Sequence, residues 1–344
     1  LPFGDTGGEP DHEDTVAVTF LADLSDAVAR RGFVLGDTLV AKAGYFQTAS
    51  EVFEIPMVRQ GFSSFYQGSG EIVTTIGEVL DYQYFTTQKG IEYREIYYNF
   101  NYDGEVQSEA ERRQFTVASA DFTIADTVAS NLAQRRMPFF RNVNVVAQDV
   151  VVTLTCDVRP AIYTLLRTDQ ILEDIQGSIT VEHPDSVLVK GLAVNGPITG
   201  SWSNDIGADW GPHLMDLDDK RMWDDGTNGD AVAGDSIFTK QFMFYTDSAD
   251  VVGQEFKFGI GGGDNEGGYG NNHITNIDDQ RIQSTINAQF GSIDPIFYHV
   301  WDFDERAPAT AVESHPTQRP LMFALEQNYP NPFNPVTQIR YSLA

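Results

Sequence analysis

A single cysteine, Cys156, stands in a chain of 344 residues. One thiol makes no internal disulfide and no cysteine-based metal site. Cations are scarce: 22 Lys and Arg face 50 Asp and Glu, a formal charge of -28. Phosphate binding needs clustered Lys and Arg, so the balance excludes nucleic acid as a partner. It equally disfavours anionic membrane surfaces. No run reaches the ~20 apolar residues of a membrane helix, so membrane insertion is not expected. No signal-peptide pattern is present, and an opening on Leu1 rather than Met leads us to expect processing or trimming. Catalytic constellations are missing as well. His12, His183, His213, His273, His299 and His315 are scattered without an H-E-x-x-H pattern, and no serine sits in a G-x-S-x-G elbow. The glycine run 259–263 precedes no helix and no Lys, which argues against a phosphate cradle. The expectation is a protein that is not an enzyme.

What is present is apolar mass arranged for strands. Hydrophobic residues make up 41% and aromatics 12%, enough for packed cores and too much for a disordered acidic chain. Val16, Val18 and Phe20 alternate with Thr15, Ala17 and Thr19, and Val150, Val152, Leu154 and Cys156 repeat the pattern. Runs rich in Val, Ile, Thr, Tyr and Phe are cut by Gly, Asp and Asn clusters, which predicts β-structure throughout. Helical periodicity is confined to one turn near 26–31 and a short helix within 161–175. An internal repeat is visible: residues 18–24 (VTFLADL) match 152–158 (VTLTCDV), 37–42 match 185–190, 93–100 match 255–260, and 114–116 match 273–275. The matches keep their order. The predicted organisation is therefore an extended arm over 1–14, a β-sandwich over 15–125, a linker over 126–144, a second sandwich over 145–303, a linker over 304–324, and a terminal piece over 325–344.

That terminal piece reads LEQNYPNPFNPVTQIRYSLA. Residues 325–335, followed by Thr337, Ile339 and Tyr341-Ser342-Leu343, resemble the opening of the C-terminal sorting region of proteins exported by the type IX secretion system of Bacteroidetes-like bacteria. The resemblance implies export by that secretion machinery and an extracellular or cell-surface location. The family's region normally continues for several more strands, so either processing or a missing remainder is expected. The body resembles starch- and glycogen-binding β-sandwich modules. In the first copy the resemblance rests on Val18-Thr19-Phe20, Asp23, Leu24 and Gly44-Tyr45-Phe46. In the second it rests on Gly200-Ser201-Trp202, Asp224-Asp225-Gly226, Gly234-Asp235 and Phe256-Lys257-Phe258. It implies two tandem immunoglobulin-like or starch-binding-like sandwiches, with sugar rings stacked on exposed aromatic faces.

Three sets of candidate residues follow. Trp210, Trp223 and Tyr269 lie in the second copy and would form a glycan-stacking face; the first copy has no Trp, and Gln47-Thr48-Ala49-Ser50 follows its Gly44-Tyr45-Phe46. Asp224, Asp225, Asn228, Asp230 and Asp235 form an acid-dense loop of the kind that suits calcium, a hard cation that wants converging carboxylate and carbonyl oxygens. The same residues also suit plain tight turns. Finally, Ile339, Tyr341 and Leu343 share one face of a terminal strand whose backbone groups could pair with the sheet edge of another copy. A head-to-tail contact of that kind builds fibres or tubes unless it closes into a ring. The leading expectation is a secreted structural subunit that assembles with copies of itself into a filament, tube or coat. The alternative is a glycan-binding surface module, or an accessory part of a secreted enzyme.

Overall fold

The computed structural model describes residues 14–45, 50–96, 113–127, 137–168, 170–176, 179–202, 209–267, 272–293, 300–309, 324–325 and 341–342. The chain is all-β, and it divides into two compact units, Leu1–Pro308 and Ala309–Ala344.

The first unit opens with β1 (Asp14–Asp23), whose inward residues Val16, Val18, Phe20 and Ala22 are all buried. A short helix α1 (Ser25–Ala29) follows, then β2 (Leu39–Tyr45), β3 (Ser50–Arg59), β4 (Phe65–Thr74), β5 (Val79–Gln88), β6 (Ile91–Arg94), β7 (Arg113–Thr116) and β8 (Phe122–Asp126). β1 lies between antiparallel β4 and parallel β8, while β5 lies beside β2, β6 and β7. β3 joins the two groups. Most of it pairs with β2, but its last residues Val58 and Arg59 pair with Gln67 and Tyr66 of β4. The inward side chains of both groups meet in one core that includes Phe20, Tyr66, Ile72 and Tyr84.

The same plan recurs further on. β9 (Val150–Asp157), helices α2 (Arg159–Arg167) and α3 (Pro184–Lys190), β10 (Leu192–Asn195), β11 (Ile237–Phe244), β12 (Gly253–Ile260), β13 (His273–Asn276) and β14 (Gln283–Gln289) build it. β9 lies between antiparallel β11 and parallel β14, and β12 lies between β10 and β13. The role of β3 falls to residues 220–223. Met222 N–H donates to the Leu192 carbonyl of β10, and Trp223 exchanges both backbone bonds with Thr239 of β11. Read through these registers, Met57 corresponds to Met222 and Leu39 to Leu192, all four buried. The strand-to-helix corner is copied too. Asp23 accepts the Ser25 N–H and Asp157 accepts the Arg159 N–H, each tying down the first turn of the helix that follows.

The pairing corrects the sequence alignment of the copies in two places. Residues 185–190 form α3, not a counterpart of β2. Pro184, which needs no N–H at a helix start, and Gly191 at φ 72 just past its end override the Val-Leu-Val run. Residues 255–260 belong to β12, whose partner by register is β5 rather than 93–100; of the latter, 97–100 lie outside the described residues. Residues 114–116 and 273–275 do lie on matching strands, one residue out of register.

The duplication extends to a buried glutamate and the side chain it bonds. In the first repeat Glu95 accepts the Tyr84 N–H and two bonds from Arg113 at 2.9 Å. In the second, Glu266 accepts the Phe258 N–H and meets His273 Nε2 at 2.6 Å. Tyr84 corresponds to Phe258, and Arg113 to His273. Asp126 completes the first network by accepting from Arg113 and from the hydroxyls of Tyr82 and Tyr84. Its counterpart is Ala288, and the counterparts of the tyrosines are Phe256 and Phe258, so the second repeat has lost the acceptor together with the hydroxyls that needed it.

The two repeats meet at a polar seam. Arg31 Nε donates to buried Asp279 at 2.8 Å, Asn142 Nδ2 donates to the Arg31 carbonyl at 2.6 Å, and Asn276 Nδ2 donates to the Phe140 carbonyl at 2.9 Å. Arg141 pairs with Glu255 across 3.0 Å. Residues 126–144, read from the sequence as a linker, include Phe139 and Phe140, both buried. Beyond β14, β15 (Trp301–Asp302) pairs with β16 (Ala307–Pro308). In the terminal unit, β17 (Ala324–Leu325) pairs antiparallel with β18 (Tyr341–Ser342).

Candidate functional site

The acid loop occupies the connection from 220–223 to β11, where the first repeat has only the tight turn between β3 and β4. Asp224 organises it. One oxygen accepts the N–H groups of Gly234 and Asp235, and the other accepts that of Ser236. Asp230 accepts from the Gly226 N–H, and Asp235 from the Ile237 N–H. Gly226, Gly229 and Gly234 take positive φ, which lets the chain turn back on itself three times. Carboxylate oxygens of Asp224, Asp230 and Asp235, all half-buried, come within 4.8 Å of one another. Burial raises the Asp224 carboxyl above its ordinary range, against the opposing pull of its three N–H donors. The set fits a hard cation in its donor chemistry, supplying part of the six to eight oxygens that calcium takes. Asp225 falls outside this convergence, engaged by the N–H and hydroxyl of Thr227, and Asn228 donates its amide to the Thr227 hydroxyl.

Of the three candidate aromatics, Trp210 is enclosed. Trp210 is 7% exposed and belongs to a small apolar cluster with Ala193 and Leu214, on the face of β10 opposite the main core. Its ring lies so close to Gly259 that a Cβ there would stand 2.8 Å from it, and Trp202 covers it from 6.3 Å. A ring enclosed in this way has no face for a sugar. Trp223 is half-buried, with the Arg221 guanidinium 4.1 Å from its ring centre. Tyr269 lies outside the described residues. So do Ile339 and Leu343 of the proposed coupling strand; Tyr341 is in β18, paired to Leu325.

The layer over β12 is held by buried polar groups. Lys220 Nζ donates to Asn195 Oδ1, to the Thr199 hydroxyl and to the Ser201 carbonyl, and burial lowers its pKa. Lys257 pairs with Asp264 at 2.6 Å, and Asn265 bonds back to both backbone groups of Ile260. Every residue of β12 is buried as a result.

A different surface went unnoticed in the sequence. With Val152, Leu154 and Cys156 in the core, the other face of the β11–β9–β14 sheet carries Val151, Thr153 and Thr155. Across the strands these line up as Met243–Val151–Gln283 and Gln241–Thr153–Thr285, followed by Thr155 beside Asn287. Gln241 donates to the Thr153 hydroxyl, and the Thr155 hydroxyl donates to Asn287. None of these positions is ionisable. The acid loop borders the face along β11, where a Cβ on Gly229 would stand 2.7 Å from Gln241. Along β14 the border carries both signs: Arg306 donates to the Asn287 carbonyl, and a groove of about 290 Å³ is lined by Arg30, Arg31, Asp278, Thr285 and Asn287, with Arg30 paired to Asp26 and Arg31 to Asp279. The alternation along β9 could have signalled the face, but the opposite rims come from loops distant in sequence.

No protein-family model and no curated protein matches the chain. Among solved structures, it is similar to a glycoside hydrolase family 15 glucoamylase from Hypocrea jecorina, at 18% identity over 36% of this chain and 18% of that one, with a TM-score of 0.22. It is similar to a family CBM26 module of Amy13K from Eubacterium rectale, solved with maltoheptaose, at 9% identity over 80% of this chain and 92% of that one, TM-score 0.19. A leucine-rich repeat protein from Bacteroides thetaiotaomicron gives 8% identity over 81% of this chain and 26% of that one, TM-score 0.19. Likenesses of this size assign no family and carry no argument about ligand or partner.

Proposed function

We propose that this is a secreted, non-catalytic structural protein: a subunit of an extracellular filament, tube or surface coat, coupled to its neighbours by exchange of terminal strands. The observation that carries the reading is the seam. An ion pair between Arg31 and Asp279 and side-chain-to-backbone bonds through Asn142 and Asn276 tie the two repeats together instead of leaving them as beads on a linker. A rigid tandem suits a building block. The buried titratable groups of the second repeat support the non-catalytic part, because Lys220, Lys257, Glu266 and His273 are all engaged in holding loops to strands. Export rests on the resemblance of the tail to the type IX sorting region. Coupling rests on the alternation that puts Ile339, Tyr341 and Leu343 on one face of a terminal strand, a pattern suited to pairing with a partner's sheet edge. Calcium enters as a stabiliser of the loop at Asp224, Asp230 and Asp235. The carbohydrate-binding alternative needs a coplanar aromatic face, and neither Trp210 nor Trp223 offers an open one.

Electron microscopy of the purified chain, with millimolar calcium and with chelator, tests the reading. Regular filaments, tubes or sheets are expected, weaker in chelator. Discrete monomers under every condition refute it.

A further inference from the structure

We propose that the open edge of β14 accepts the terminal strand of a second copy of this chain, residues 338–343, as an added strand of the β11–β9–β14 sheet. The inference rests on the assembly reading and names the acceptor for its coupling strand.

The groove beside β14 runs along the edge of the strand. Ser284, Thr285, Ile286 and Asn287, four residues in succession, line it. A sheet face shows only every second residue of a strand, so successive lining residues mark an edge. The backbone bonds agree. Val151 N–H donates to the Ile282 carbonyl and Phe290 N–H to the Asp157 carbonyl, so the even-numbered residues of this parallel ladder face β9. Gln283, Thr285 and Asn287 then turn their N–H and C=O groups to the open side. β14 is the last strand of its sheet, and among the described residues the Arg306 guanidinium at the Asn287 carbonyl is the one partner those groups have. Exposed edges are normally blunted by charge, proline or a bulge. β14 has no charged residue and no proline, and its register against β9 is unbroken from Gln283 to Gln289.

The groove suits an extended peptide. Thr275 and Asn276, on the edge strand β13 of the other sheet, also line it, so it opens between the two sheets of the second repeat. Residues 284–287 span about 10 Å, which takes three or four extended residues. Charge is matched within the molecule, because Arg30 pairs with Asp26 and Arg31 with Asp279. Recognition therefore falls to backbone pairing and to the alternation of side chains.

The terminal segment fits both. Residues 338–343 read Gln-Ile-Arg-Tyr-Ser-Leu, polar and apolar in turn. β14 divides in the same way: Thr285 and Asn287 stand on the outer face beside Thr153 and Thr155, while Ala288 is buried and Ile286 packs against the core. An added strand carries Gln338, Arg340 and Ser342 on the outer face and Ile339, Tyr341 and Leu343 on the inner one. Arg340 is the only charged residue from 327 to 344, so this stretch carries +1 and residues 1–326 carry -28 - 1 = -29. A strand without acids approaches an acidic molecule unopposed. Of residues 338–343, Tyr341 and Ser342 are among the described ones, where β18 pairs with β17 along one edge only.

Thr285→Pro is the decisive variant. The Thr285 N–H lies outside the β9 ladder, so proline, which edge strands tolerate, removes the docking donor and leaves the sheet intact. Sedimentation velocity on the full chain is expected to show self-association of the wild type, weakened roughly tenfold or more by Thr285→Pro. Thr123→Pro, at the matching edge position of β8 in the first repeat, is the control and should change nothing. Thermal melts check that both variants fold. A second measurement needs no proline. Thr285→Cys in one chain is mixed with Gln338→Cys, Arg340→Cys or Ser342→Cys in a tagged chain and oxidised; the native Cys156 is fully buried and stays out of the reaction. A covalent heterodimer with at least one of the three is expected. Self-association that Thr285→Pro leaves intact, with no heterodimer, overturns this acceptor while the assembly reading stands. A chain carrying both cysteines that closes only on itself shows the tail returning to its own body and overturns the proposal. A wild type that neither associates nor cross-links removes the acceptor, and the absence of filaments in micrographs of that sample removes the assembly reading as well.

Discussion

Asp126 gives the sharpest test of how the first repeat is held. Its two oxygens accept from Tyr82, Tyr84 and Arg113 at 2.9, 2.7 and 3.0 Å, in a site where all four side chains are buried. Asp126→Ala, the residue found at the matching position of the second repeat, strips the acceptor from two hydroxyls and one guanidinium N–H. A buried donor left without its acceptor costs about 1–3 kcal/mol, so three cost about 3–9 kcal/mol together. At about 2–4 °C per kcal/mol for a unit of this size, the melting midpoint should fall by roughly 6–36 °C. The second repeat shows the compensation. Adding Tyr82→Phe and Tyr84→Phe to Asp126→Ala removes two of the three orphaned donors and leaves the apolar packing of the rings in place. The triple variant should therefore recover about 2–6 kcal/mol over the single one. Urea unfolding followed by circular dichroism, with calorimetry in parallel, measures both. A triple variant no more stable than Asp126→Ala would refute the argument that acceptor and hydroxyls were lost together for one physical reason.

Trp210→Ala should open a cavity and cost about 3–5 kcal/mol in a thermal melt; a neutral effect would mean that the ring is not the packing element described. Gly259→Ala places a Cβ 2.2 Å from the Gly263 carbonyl and against Trp210, so it should destabilise by about 1–3 kcal/mol and shift the tryptophan emission, whereas an unchanged spectrum would show that the layer yields freely. Asp224 has a folded pKa above its unfolded one, so the folded state holds the proton more tightly. Its contribution is full below the unfolded value and is lost as pH rises through the folded value. Without divalent cations the urea midpoint of the wild type should fall relative to Asp224→Asn as pH rises above the ordinary carboxylate range, and calcium should cancel the difference; parallel curves would show that burial does not perturb this carboxyl.

How much the sequence revealed follows from where each signal is stored. β1 and β9 are half-buried strands, so their alternation is written locally, and the 18–24 to 152–158 match survives because both end in the same Asp-tied corner. α3 was misread because Val187, Leu188 and Val189 favour strands, while the deciding signals were the flanking Pro184 and Gly191. Trp210 was misjudged because what covers it, Gly259 and the loop at 261–263, comes from far along the chain. Of the four carboxylates read as a cation loop, three converge; the turn that brings Asp235 back to Asp224 also points Asp225 at Thr227. The Glu266–His273 pair is spelled out within eight residues, yet only the register against Glu95 and Arg113 reveals it as a duplicated device.

The parallel pairing of first strand with last has a mechanical meaning. When the chain is pulled by its ends, β1 and β8 are drawn past each other along their length, and so are β9 and β14. Force then loads every rung of each ladder at once rather than peeling them one by one. Five residue pairs link β1 to β8 and seven link β9 to β14, so in a single-molecule stretching experiment the first repeat should yield at the lower force. Under tension in that direction the weaker clamp would give way while the stronger one still held, so the chain would lengthen in two steps instead of one.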